Sequence, residues 1–117
     1  MDGKTLRKLL EEIKGKLGLN DRVYLRVKPL KRSIAIISLR TKRITINKRI
    51  LSILTEDEIK YILAHELLHL KYGKIHTLEM EQELENLFGK DIKISILKKI
   101  KALVQSSWKN PNRSNPE

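Results

Sequence analysis

The sequence has 117 residues, of which 40% are hydrophobic, 33% charged and only 4% aromatic, so it can build one modest core from Ile, Leu and Val but not two. It contains no Cys, which excludes disulfides, a thiol nucleophile and every thiolate metal site. The formal charge of +11 is unevenly spread: residues 1–49 carry 15 basic and 4 acidic side chains, residues 50–92 carry 4 and 9, and residues 93–117 carry 6 and 1.

No apolar run reaches the roughly 20 residues of a spanning helix, and the opening MDGKTLRKLLEE lacks the apolar segment of a secretory signal. These features point to a cytoplasmic protein with no membrane partner.

In chain order, Leu6, Leu9, Leu10, Ile13 and Leu17 recur at three- and four-residue intervals and predict an amphipathic helix over 4–17, stopped by Gly18. Val23, Leu25 and Val27 alternate with Tyr24, Arg26 and Lys28, the period of a half-buried strand ended by Pro29. The continuous run SIAIISL over 33–39 predicts a strand buried on both faces. Residues 43–49 alternate again through Ile44 and Ile46, and the two segments form a hairpin through Thr41 and Lys42.

Thr55 and Glu58 have the spacing of a capping box, with Leu54 and Ile59 placed as a hydrophobic staple, so a helix starts at 55 and runs to Tyr72 before Gly73. Its stripe of Ile59, Ile62, Leu63, Leu67 and Leu70 is expected to face the sheet. Two more helices follow, over 77–88 and 92–104. The fold class is α+β, a small three-stranded sheet covered by helices, with residues 1–107 as a single domain and the polar stretch 108–117 as a tail.

His65-Glu66-Leu67-Leu68-His69 is an HExxH segment on the third-quarter turns of a capped helix. Residues i and i+4 share a helix face, so both imidazoles reach one ion, while Glu66 sits about 100° round, beside the metal, where it can take a proton from a metal-bound water. The protein has only three His, and His76 is the third. Gly73 breaks the helix and lets the chain return, which makes His76 the side chain best placed as third ligand to Zn2+; Glu79 and Glu83 on the next helix are the alternatives. Chance alone produces HExxH in helix-rich chains. The cap, the terminal Gly and the confinement of all three His to twelve positions weigh against chance here.

The stretch HELLHLKYGKIHTLEMEQELENLFG resembles the active-site region of small zinc peptidases of the SprT-, WSS- and YgjP-like group, and also the very small archaeal minigluzincins and selecases. The first resemblance implies His65, His69 and His76 as zinc ligands and Glu66 as base, but where that group has an aromatic residue four after the third His this chain has Met80. The second implies a glutamate of the following helix, Glu79 or Glu83, as third ligand. Both imply a minimal zincin-like fold, a zinc metalloendopeptidase, and a chain that is latent when isolated, with self-association or the tail after Trp108 covering the cleft.

The expected reaction is attack of a zinc-held water, activated by Glu66, on a peptide carbonyl. Tyr61, Tyr72 and Tyr24 are the candidates for a second oxyanion donor. The expected substrate is a peptide or protein, held extended against a sheet edge that the strand over 43–49 supplies. The competing reading is a basic nucleic-acid- or protein-binding module with a structural or inactive zinc site, since eight Lys and Arg cluster between Lys28 and Arg49. No basic recognition helix or aromatic ladder accompanies them.

Overall fold

The computed structural model describes residues 1–108, and of residues 105–108 only the helical backbone. Helix α1 (Gly3–Leu17) opens on an Asp2 cap whose carboxylate accepts the Thr5 N–H, and it ends at Gly18, left-handed at φ 69°. Strands β1 (Tyr24–Lys28), β2 (Ala35–Ser38) and β3 (Arg43–Asn47) follow, then helices α2 (Glu56–Tyr72), α3 (Leu78–Phe88) and α4 (Asp91–Trp108). The last helix outruns the predicted 92–104 at its C-terminal end, and the tail proposed for 108–117 lies beyond the described residues apart from Trp108, which closes α4.

The sheet order is β1-β3-β2, with β1 parallel to β3 (Tyr24 beside Arg43) and β2 antiparallel to it (Ala35 beside Ile46). The predicted hairpin is therefore present, but two of its attributes are exchanged. The apolar run read as doubly buried is an edge strand whose alternate residues reach solvent, Ile36 being 44% exposed. The strand expected to offer an edge to substrate is the central one, buried from Ile44 to Asn47. An apolar run cannot distinguish burial on both faces from one buried face and one greasy exposed face.

Polar β3 positions survive at the centre because they are bonded. Thr45 accepts from Arg26 of β1, and the Asn47 amide satisfies Leu30 and Ser33 in the loop before β2 as well as the Arg49 N–H. Asn47 thereby fixes the loop that delivers β2 and Arg32, a role that its place in an alternating strand did not reveal.

The capping box of α2 forms as expected, Thr55 accepting from the Glu58 N–H and Glu58 accepting from the Thr55 N–H. This helix is not a one-faced amphipath. Ile59, Tyr61, Leu63, Ala64, Leu67 and Leu68 are all buried, because α1, α3, α4 and β2 surround it. The active helix is thus the axis of the core, and its ends are held from outside.

At the N-terminal end the buried Glu58 carboxylate also takes a short hydrogen bond from Ser95 and pairs with Lys99 at 2.6 Å, tying α4 to α2. Burial pushes this carboxyl up, but Lys99, Ser95 and the Thr55 N–H outweigh it and hold the group down at about 2. A carboxyl lowered on folding contributes stability above its unfolded value near 4.5 and loses it as pH falls from there towards 2. At pH 7 Glu58→Gln is accordingly expected to be less stable than wild type by up to about 3 kcal/mol, and the gap should close by about pH 2 in denaturant titrations. A gap independent of pH would mean that packing, not charge, is the contribution of Glu58.

Candidate metal centre

His65 and His69 lie one turn apart on α2, and the chain leaves that helix at Gly73 to bring His76 back over them. One ring nitrogen from each of the three lies within 4.8 Å of the others, and the rings form a triangle with centroids 5.2, 4.7 and 4.9 Å apart. His65 and His76 turn their Nε2 atoms towards each other at 2.6 Å. Nitrogens around a tetrahedral zinc at ~2.0–2.1 Å stand roughly 3.3 Å apart, so the His65–His76 pair has to open by roughly 0.7 Å to admit the ion.

The second nitrogens decide the tautomers. His69 Nδ1 lies 2.7 Å from the Gly73 carbonyl oxygen, and His65 Nδ1 lies 3.1 Å from Glu66 Oε2. With each Nδ1 donating to its oxygen partner, Nε2 is the ring atom left to a metal. Burial, and then the neighbouring His65 and His69, hold the His76 imidazole below its ordinary value, which favours the form that can bind a metal.

Gly73 matters here for a definite reason. Its φ of 88° and ψ of −170° fall where only glycine sits without strain, outside the left-handed helical well expected for a helix stop. That conformation aims the carbonyl back at His69 and starts the turn to His76. Gly73→Ala is expected to cost about 1–3 kcal/mol in stability and to weaken metal binding about 10–100-fold, measured by competition with a chromogenic chelator. Unchanged affinity would show that the carbonyl does not orient His69.

The carboxylates of α3 are placed differently. Glu83 accepts from the Tyr72 hydroxyl and pairs with Lys71 at 2.9 Å, bracing α3 against the end of α2, and Glu79 is exposed. Neither stands in the group of metal-competent side chains found among the described residues, which comprises the three His. Met80, where the SprT-like pattern has its aromatic residue, is wholly buried in the core.

Two hollows flank the cluster and share His65, Glu66 and His76 in their walls. One, of about 600 Å³, is backed by Tyr61, Ile62, Ile96 and Leu97; the other, of about 720 Å³, runs along β2 to Arg40 and Lys74. Glu66 is 7% exposed and faces both. Of the three tyrosines considered as oxyanion donors, Tyr61 lines the first hollow while packing edge-on to Phe88 at 5.5 Å. Tyr72 is engaged by Glu83, and Tyr24 lies on β1 at the far side of the sheet.

The described helices include none long and apolar enough to cross a membrane. The sequence from residue 6 to residue 106 matches the family model "Peptidase family M48". An uncharacterized protein of Methanocaldococcus jannaschii is 53% identical over 90 residues, covering 74% of this chain and 82% of the relative. Among solved structures, the metallopeptidase zymogen jannalysin of the same organism superposes with a TM-score of 0.72 at 34% identity, covering 84% of this chain and 96% of that one. The metallopeptidase zymogen abylysin of Pyrococcus abyssi gives 0.74 at 37% identity, covering 86% and 95%.

Proposed function

Because the chain belongs to peptidase family M48 and is a metallopeptidase, we propose that its metal is zinc, held by His65, His69 and His76, and that Glu66 moves the proton in peptide-bond hydrolysis. The observation that carries this reading is the convergence of three imidazoles beside a carboxylate at the junction of two hollows, with the edge strand β2 alongside. Three nitrogen donors with no thiolate suit zinc with one position left open.

When bound, zinc supplies Lewis acidity, acidifying a water and taking up charge as it develops on the carbonyl oxygen. The residues of this chain do the rest. Glu66 accepts the proton of the attacking water and delivers it to the leaving amine nitrogen. Gly73 and Glu66 hold the ligand rings in register through their Nδ1 atoms. The unpaired backbone of β2 can take an extended peptide as a further strand, which sets the scissile bond beside the cluster.

The two archaeal structures, of which this chain covers 96% and 95%, support a metallopeptidase of minimal length. Both are zymogens, which supports latency of the isolated chain. A tail acting as the plug would lie in residues 109–117, outside the described residues.

Zinc-loaded protein is expected to cleave an unstructured peptide, to lose that activity on chelation and to regain it when zinc is restored, once any latency is relieved by limited proteolysis. Cleavage that persists after complete metal removal would end this reading.

A further inference from the structure

The charges in the cleft are one-sided. In the hollow along β2 the charged side chains besides Glu66 are Arg40 and Lys74. In the other hollow Glu81 and Lys93 face each other at 3.6 Å and offset one another, which leaves Arg32. Among the described residues Arg32, Arg40 and Lys74 enter no salt bridge, and all three are exposed. The surrounding field has the same sign, because residues 22–55 contain ten Lys and Arg and no Asp or Glu. Cations with no partner at the wall of a concave site concentrate field lines in it and draw in anionic groups. Their full hydration shells also make a neutral side chain a poor exchange for water.

Both hollows carry apolar side chains, and it is charge that sets them apart. Tyr61 and Ile62 of α2 with Ile96 and Leu97 of α4 line the first, where Glu81 and Lys93 offset one another, whereas the second adds the cations Arg40 and Lys74 to Ala35, Ile36, Ile37 and Leu39. A peptide extended along β2 advances about 3.3 Å per residue and sends alternate side chains to one face, so residues on either side of the scissile bond enter different hollows.

We propose that Arg40 and Lys74 form a subsite for an acidic side chain of the substrate, opposite an apolar subsite walled by Tyr61 and Leu97. The substrate class is then an extended peptide with Asp or Glu on one side of the cleaved bond and a large apolar residue on the other. This rests on the peptidase reading above. Arg40 and Lys74 are specificity residues: they touch the substrate side chain and take no part in the bond-breaking step.

The test separates binding from turnover. Two series of fluorescent decapeptides carry a Leu at the centre, with Asp, Asn or Lys placed either before or after it, and their anisotropy is measured on zinc-loaded Glu66→Gln protein. In one series the Asp peptide is expected to bind about tenfold more tightly than its Asn counterpart at low salt, with the Lys peptide weakest. Arg40→Glu and Lys74→Glu should each erase or invert that order, while Lys28→Glu, the same change of charge on β1, should preserve it. Equal affinity for Asp and Asn peptides in both series would overturn the proposal, as would an equal effect of Lys28→Glu, which would make the preference a property of the net charge. Cleavage of the same peptides by the wild-type protein, after limited proteolysis has relieved any latency, distinguishes the two readings. Selective binding without any cleavage would count against the peptidase reading and leave the subsite standing, whereas cleavage indifferent to charge would remove the subsite and leave the peptidase.

Discussion

Glu66→Gln is expected to retain zinc at the wild-type stoichiometry while peptide hydrolysis falls about 10²–10⁴-fold. The substitution preserves volume at a position only 7% exposed, and the amide oxygen still accepts the proton of His65 Nδ1. What disappears is the ability to take a proton from water and return it to the leaving amine. Metal content measured by elemental analysis beside initial rates tests both halves at once. Loss of metal in parallel with activity would show that the carboxylate acts chiefly as the partner that holds His65.

The second large effect concerns the third ligand. His76→Ala should weaken zinc binding beyond the roughly 100-fold that outer partners are worth, because it removes one of three donor atoms. Glu79→Ala should leave affinity unchanged, since that side chain is exposed and stands outside the histidine cluster. Glu83→Ala is expected to act between these, through the brace it provides to Tyr72 and Lys71 at the base of the turn to His76. Dialysis against a graded chelator orders the three variants. An outcome in which Glu79→Ala loses the ion and His76→Ala keeps it would transfer the assignment to α3.

These two experiments probe the part of the molecule that was most legible without coordinates. A capping box, a helical i, i+4 pair and a terminal glycine are all governed by contacts within a few residues, so their positions along the chain settle their geometry. The return of the chain at Gly73 was legible too, although its backbone lies in the extended positive-φ region and not in the left-handed well. Its further use, a carbonyl that fixes the His69 tautomer, depends on an angle that no residue pattern encodes.

The sheet was legible in its pieces and not in its order. Alternation in β1 and β3 states that each strand has two unlike faces, but it is silent on neighbours, and β3 enters between the other two. The apolar run at β2 argued for the centre, and the polar Thr45 and Asn47 argued against it for β3. The reverse holds because Arg26, Leu30 and Ser33 come from elsewhere in the chain to bond those polar groups.

What local sequence alone determined is the chemistry: three His, one adjacent Glu and a capped helix that must present two imidazoles on one side. Which edge strand lies beside the histidine cluster, which carboxylates of α3 are drawn off into braces, and which cations line the hollow along β2 were decided by tertiary packing. The reason is the range of the interactions involved. Helix geometry is fixed within four residues, whereas strand order and charge pairing depend on groups tens of residues apart whose separation only the folded chain sets.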